Sequence, residues 1–225
     1  MPVTGSNKEI SVQVLSGGFS YRVDAGPSSG WLGAEHIFTE PRLQSRYEKV
    51  SISLFTPKVT LVPESFFSKD RALELLGDVT SLRPGDQVLS VPVPEQSSVL
   101  VYSPSGYDAI SKAVSQNILT ISGEPSPVLP EIWWLLGSLP LADEYNKILC
   151  SYADGWLHMV IAQGKTLCLA NVFRAPDFTT AEYFIFLALK RLQLNPEVST
   201  VYFRTPLDMD EEMSLYRYFK SVVSL

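Results

Sequence analysis

Cysteine and histidine are scarce in this chain, with two of each among 225 residues. Four such residues scattered along a sequence do not have the spacing of a zinc site, so no metal is expected. Lys and Arg number 18 against 24 Asp and Glu, which gives a net charge of -6. Nucleic-acid binding depends on pairing basic side chains with phosphates, and this balance opposes it. Neither a metal nor a nucleic acid is expected as a ligand.

Long hydrophobic runs are also missing. The longest unbroken apolar run is Tyr183–Leu189, well short of the roughly 20 residues that cross a bilayer, so no membrane insertion is expected. The N-terminus, Met1 to Lys8, has no apolar stretch of signal-peptide type, which predicts a cytoplasmic location. With 45% hydrophobic residues the chain can nevertheless bury a sizeable core.

Glycine-rich phosphate motifs are absent. The chain contains neither G-x-x-x-x-G-K-[ST] nor G-x-G-x-x-G, and no glycine follows Gly164. The C-terminal part therefore lacks the small loop residues that let a backbone approach a nucleotide closely. ATP hydrolysis is not expected.

Strand patterns dominate the first half of the chain. Ile10, Val12 and Val14 alternate with polar residues, and Gly17 and Gly18 are expected to supply the positive φ of a tight turn into a second strand. Further strands are predicted at Ala34–Phe38, Val50–Phe55, Val59–Val62, Gln87–Val93 and Ser98–Tyr102, and helices at about Lys69–Leu76 and Pro104–Gln116. The opening hairpin thus leads into alternating strands and helices.

Residues 123–130 contain three prolines, which predict a connection rather than a regular element. A short helix from Glu131 to Leu136 is expected next, with Gly137 ending it. These signals place the predicted domain boundary: residues 1–143 form a first lobe with its connecting segment, and residues 144–225 a second lobe.

The second lobe begins with a predicted three-stranded meander, Lys147–Tyr152, Trp156–Ala162 and Lys165–Phe173. Its turns are expected at Asp154-Gly155 and Gln163-Gly164, because Asp-Gly is a strong hairpin signal. Counting back from these turns sets Cys150, Met159 and Cys168 in one cross-strand row, with the thiols on one face but too far apart for a disulfide. Both faces are apolar, which predicts cover on both sides.

A helix follows the meander, with Thr179 to Glu182 as its predicted capping box. Its body is apolar all round, which is typical of a helix buried on most sides. Ser199–Arg204 is a further strand, and a last helix begins at Asp208. The predicted order is βββαβα; residues 221–225 can end that helix or form another strand.

The same order resembles the ribonuclease-H-like lobe that actin-like ATPases contain twice. More specifically, Thr56-Pro57-Lys58-Val59-Thr60-Leu61-Val62-Pro63 with Phe66-Phe67, and Leu169-Ala170-Asn171-Val172-Phe173 with Asp177-Phe178, resemble a family of uncharacterised bacterial proteins with a degenerate actin-like ATPase fold. The resemblance implies an α/β fold of two ribonuclease-H-like lobes, each a mixed sheet covered by helices. It implies no activity.

Actin-like ATPases hold nucleotide between their lobes, with carboxylates and glycines at the first hairpin of each lobe. Here the first hairpin offers Gly17 and Gly18 without a carboxylate, and the second offers Asp154 and Gly155. Plain turn chemistry accounts for the same dipeptide. These four residues are therefore the candidate nucleotide site of an alternative hypothesis only.

The residues that could be catalytic also have structural explanations. A ribonuclease-H-like nuclease needs carboxylates on its first strand, where there are none, and the acidic cluster at Asp208 to Glu212 suits a helix N-terminus. His158 is expected opposite Ser151, with no acidic residue on the next strand to complete a triad. No catalytic residue is assigned.

The hypothesis from the sequence is a non-catalytic actin-like scaffold or protein-interaction module, with a protein partner and no cofactor. The alternative is a nucleotide-binding protein or weak ATPase with its ligand between the two lobes.

Overall fold

In the computed structural model, which describes residues 8–225, contacts divide the chain into two units. Unit 1 comprises Met1–Thr56 and Pro104–Pro130, and unit 2 comprises Pro57–Ser103 and Glu131–Leu225. The segment Pro57–Ser103 therefore packs with the second half of the chain. The lobe boundaries at 1–143 and 144–225 stay a prediction. The prediction that the N-terminus is not a signal peptide concerns residues 1–8, and residues 1–7 lie outside the described part of the chain.

Unit 1 is built on a five-stranded sheet. Its strands and helix are β1 (Glu9–Val14), β2 (Gly18–Val23), β3 (Leu32–Gly33), β4 (Arg46–Tyr47), β5 (Lys49–Leu54), β9 (Leu119–Thr120), β10 (Val128–Pro130) and α2 (Asp108–Asn117). The sheet order is β10-β5-β1-β2-β3, while β4 and β9 form a separate pair. β1 is antiparallel to β2 and parallel to β5, which is parallel to β10.

The core of unit 1 follows the alternation seen in the sequence. Ile10, Val12 and Val14 are fully buried, and Val114 and Ile118, from α2 and the residue that follows it, join the same cluster. Burying such side chains contributes about 1.5–3 kcal/mol each, which fixes α2 on one face of the sheet.

Three predictions for unit 1 are wrong in detail. Ala34–His36 forms a 3₁₀ turn instead of a strand. The second helix begins at Asp108 because Gly106, at φ 98°, interrupts the chain after Pro104. Val128–Pro130, predicted as a connection, is an edge strand on β5, a position that tolerates proline.

Unit 2 contains a second five-stranded sheet and a smaller three-stranded one. Its elements are β6 (Val59–Pro63), α1 (Ala72–Gly77), β7 (Leu89–Val93), β8 (Ser98–Tyr102), α3 (Glu131–Ser138), β11 (Asn146–Ala153), β12 (Trp156–Gln163), β13 (Thr166–Arg174), α4 (Phe178–Arg191), β14 (Thr200–Phe203), α5 (Met209–Tyr216) and β15 (Ser221–Ser224). The large sheet has the order β13-β12-β11-β14-β15 and the small one β6-β8-β7.

The large sheet of unit 2 repeats the topology of the unit 1 sheet. β11 is antiparallel to β12 and parallel to β14, and β15 extends the parallel side. The predicted order βββαβα is confirmed, and residues 221–224 form a further strand. Helices α4 and α5 cover one face, and α3 with the small sheet covers the other. Both faces are apolar, as the sequence indicated.

The predicted register of the meander is correct at its first turn and wrong at its second. Cys150 pairs with Met159, but Met159 pairs with Asn171 instead of Cys168. The second turn has Gly164 as its first central residue, at φ 59°, and the ladder shifts between Ile161 and Ala162. Both thiols still pack against the same core cluster, and both are free.

Two helix ends in unit 2 also differ from expectation. Asp177, not Thr179, caps α4: its Oδ1 accepts a 2.7 Å hydrogen bond from the Thr180 N–H. Gly137 continues α3, because a glycine with φ outside the left-handed region does not end a helix. Among residues 8–225, no helix has the length and apolar character needed to span a bilayer.

Candidate functional site

The first candidate turn joins β1 to β2 in unit 1 through Ser16 and Gly17. The Leu15 N–H donates to the Gly18 carbonyl at 2.8 Å, which closes the turn tightly. Neither Gly17 nor Gly18 has a positive φ, so the predicted reason for these glycines is wrong. A Cβ on Gly18 would overlap the carbonyl oxygen of Leu32 on β3, whereas a Cβ on Gly17 would meet nothing within 4 Å. Packing between strands explains Gly18.

Gly18→Ala is therefore expected to destabilise the protein, by roughly 2 kcal/mol, because β3 must move to admit the methyl group. Gly17→Ala is the matched control one residue away and should change the free energy of unfolding by less than about 0.5 kcal/mol. Urea unfolding of both variants measures the difference. Equal stability of the two variants would contradict this account of Gly18.

The second candidate turn joins β11 to β12 in unit 2. Asp154 and Gly155 have φ values of 53° and 72°, the left-handed pair of a type I′ turn, as the sequence predicted. The Gly155 carbonyl accepts a 2.9 Å bond from the Ala175 N–H. Gly17 and Gly18 belong to unit 1, and Asp154 and Gly155 to unit 2. A phosphate-binding role for these four residues stays a prediction.

A buried polar cluster lies inside unit 2, and sequence reasoning missed its centre. Glu131, the first residue of α3, is fully buried. Its Oε1 accepts a 2.7 Å hydrogen bond from the Ser151 hydroxyl, and its Oε2 lies 2.6 Å from the Arg204 guanidinium. Arg204 also lies over the Trp134 ring, 5.4 Å from its centroid. Both carboxylate oxygens are thus engaged.

His158 borders this cluster. It pairs with Ser151 across β11 and β12, as predicted, and it is fully buried. Burial lowers the pKa of His158 to about 4, and the nearby Glu131 carboxylate only partly opposes that shift. The imidazole is therefore neutral at pH 7.

The cluster has the residue types of a Ser-His-Glu nucleophile system but not the required access. Ser151, His158 and Glu131 are all 0% exposed. The Ser151 hydroxyl donates its proton to a carboxylate that is already paired with Arg204, and its full burial keeps substrate from reaching it in this arrangement. The arrangement neutralises the buried Glu131 carboxylate and supplies its hydrogen bonds where α3, β11 and the end of β14 meet.

The acidic cluster at α5 serves as a helix cap, as the sequence predicted. Asp208 Oδ1 accepts a 2.8 Å bond from the Glu211 N–H, and Glu211 Oε2 accepts a 3.0 Å bond from the Asp208 N–H. Burial, together with the like charges of Asp208 and Glu182, raises the pKa of Glu211. Over residues 8–225, no three His, Cys, Asp or Glu side chains are grouped as metal ligands.

An open apolar groove of about 410 Å³ runs between α4 and β13, the outermost strand of the large sheet. Cys168, Leu169, Asn171 and Phe173 line it from β13, and Phe184, Leu187, Ala188, Arg191 and Leu192 line it from α4 and the residue after it. Most of these side chains are half-buried. Sequence reasoning missed this groove, although the all-round apolar pattern of α4 was its signal.

The comparisons with known proteins agree with this topology. A model of the family described as "Protein of unknown function (DUF3822)" matches residues 33–222. No curated protein sequence matches the chain. A solved structure from Bacteroides thetaiotaomicron, described as a protein with actin-like ATPase fold and unknown function, is similar with a TM-score of 0.67 and 17% identity, over 100% of this chain and 93% of that one.

A chain of the PilM-PilN type IV pilus biogenesis complex is also similar, with a TM-score of 0.51 and 13% identity, over 97% of this chain and 88% of that one. Identities this low show the fold alone. The actin-like ATPase fold predicted from the sequence is confirmed.

Proposed function

The chain belongs to the family of proteins of unknown function DUF3822, and from that membership and its actin-like ATPase fold we propose that it acts as a non-catalytic scaffold or protein-interaction module. The single observation that carries the proposal is the contrast within unit 2 between its polar and apolar features. Glu131, Ser151 and His158 are fully buried, whereas the groove along α4 is open and mostly apolar. An open and mostly apolar groove is the kind of surface that receives the apolar face of a partner polypeptide.

The fold comparison lends the proposal further support. A chain of similar fold occurs in the PilM-PilN complex, which supports a role within a protein assembly. The cytoplasmic location expected from the N-terminus and the bacterial origin implied by the family resemblance are part of the same proposal. Its rival is a nucleotide-binding protein that uses Gly17, Gly18, Asp154 and Gly155.

Thermal unfolding with ATP and Mg²⁺ separates the two hypotheses. A nucleotide at a hundred times its dissociation constant stabilises by ~2.7 kcal/mol, which for a chain of this length raises the Tm by about 5–10 °C. The scaffold proposal predicts no shift at millimolar ATP. A shift that Asp154→Ala removes would overturn it in favour of the rival, and ADP and AMP serve as controls for general phosphate effects.

A further inference from the structure

We propose that the groove between α4 and β13 binds an amphipathic, acidic helix of a partner protein, with Arg191 pairing to a carboxylate of that helix. The proposal rests on the proposed interaction function and names the surface and partner chemistry for it.

Helix α4 carries one fully buried apolar stripe and another that is half-buried. Ala181, Ile185 and Leu189 form its buried stripe. A second stripe, formed by Phe184, Leu187, Ala188 and Leu192, stays half-buried and faces the groove. The all-round apolar pattern predicted a helix covered on most sides, and the described chain covers one side fully.

The second stripe is long enough to receive a helix, and Phe184, Ala188 and Leu192 also pack in part against the core of unit 2. Positions 184, 187, 188, 191 and 192 are i, i+3, i+4, i+7 and i+8, the row that packs against another helix. The stripe is ~12 Å long at 1.5 Å per residue, which matches about two turns of a partner helix. Ala188 at its middle leaves room for close approach, and the stacked Phe173 and Phe184 rings, 4.9 Å apart, border one end.

Charge selects the partner's chemistry. Arg191 is the one charged residue among those that line the groove, and it is exposed. No salt bridge to Arg191 occurs within residues 8–225, and no acidic side chain lines the groove. An apolar helix with a carboxylate beside its apolar face would complement this cation, whereas a basic helix would be repelled.

Groove geometry favours a polypeptide over an acyl chain. The polar side chain of Asn171 lies within the wall: its Oδ1 accepts a 2.9 Å bond from the Val172 N–H. The groove is open to solvent, so an acyl chain in it would stay in contact with water. A helix can bury its apolar face there and keep its polar face solvated.

A displayed library of amphipathic helices tests the proposal. The apolar positions vary among Leu, Ile, Phe and Met, and the position flanking them varies between Glu and Lys. Selection against the full wild-type chain is expected to enrich Glu at least tenfold over Lys. Arg191→Glu should reverse that preference. Lys190→Glu makes the same change of charge on an exposed neighbour that does not line the groove, and it should keep the wild-type preference.

The Cys168 thiol reports whether a helix binds in the groove, and no added label is needed. It lines the groove and is half-buried, whereas Cys150 is fully buried, and that burial raises the pKa of its thiol. A selected Glu-containing helix should slow alkylation of Cys168 by N-ethylmaleimide at least tenfold, as read by intact mass.

Three results would overturn the proposal. The first is that Arg191→Glu selects Glu over Lys as the wild type does, or that neither protein selects between them. Protection of Cys168 that rises with protein concentration alone would assign the groove to a second copy of the chain, and protection by decanoate would assign it to an acyl chain. None of these depends on the ATP experiment, so a failure here is distinguishable from a failure of the proposed function.

Discussion

Arg204→Met is expected to lower the free energy of unfolding by about 3–5 kcal/mol at pH 7, the largest effect of any single substitution considered. The substitution leaves the Glu131 carboxylate fully buried with only the Ser151 hydroxyl to stabilise its charge. Methionine keeps much of the apolar stem of arginine, but it loses the cation–π contact that the guanidinium makes with the Trp134 ring. Urea unfolding followed by tryptophan fluorescence and by circular dichroism measures the change.

A double-mutant cycle separates the ion pair from packing. Glu131→Leu removes the carboxylate, and the double variant Glu131→Leu/Arg204→Met removes both charges. The double variant should be less destabilised than the sum of the two single variants by at least about 2 kcal/mol, because neither charge is left buried alone. Additive losses would mean that the pair contributes nothing beyond its separate side chains.

A pair of this kind is beyond the reach of sequence reasoning. Glu131 and Arg204 are 73 residues apart, and their encounter depends on α3 packing across the sheet near the end of β14. Locally, Glu131 indicates only the first turn of a helix, where acidic residues are favourable. Ser151 and His158 were predicted to be neighbours because the Asp154-Gly155 turn fixes their register.

The meander shows the same division between local and long-range signals. Its first turn was predictable because Asp-Gly adopts the φ values that a type I′ turn demands. Its second turn was misplaced by one residue, and the ladder irregularity near Ile161 has no sequence mark. Each strand could be predicted, whereas the pairing of β12 with β13 could not.

The candidate groove was predictable only in part. The apolar circumference of Tyr183 to Leu189 indicated that α4 needs cover on several sides. Which side the chain itself covers depends on where β13 lies beneath the helix, and that is a property of the folded sheet. The apolar pattern of α4 calls for cover on several sides, but unit 2 covers only one side fully. The groove is the apolar surface that remains uncovered.

Lowering the pH from 7 to 4 is expected to remove about 3 kcal/mol of stability through His158 alone. Burial lowers the pKa of His158 from 6.5 to about 4 in the native state, while the unfolded chain keeps the ordinary value. Between these two values the unfolded state binds a proton that the native state does not. Stability is therefore present above pH 6.5, falls as the pH drops toward 4 and levels off below it.

Two leucine variants isolate this contribution from the carboxylates that titrate in the same range. His158→Leu should lessen the loss of stability between pH 7 and pH 5 by about 2 kcal/mol relative to the wild type. His36→Leu removes the other imidazole, which is exposed, and serves as the control. The measurement is urea unfolding of all three proteins at both pH values. If His158→Leu loses as much stability between pH 7 and pH 5 as the wild type, then His158 reaches solvent or gains its proton in the native state. The buried cluster would then be accessible to solvent, and its burial could no longer be the reason for excluding catalysis.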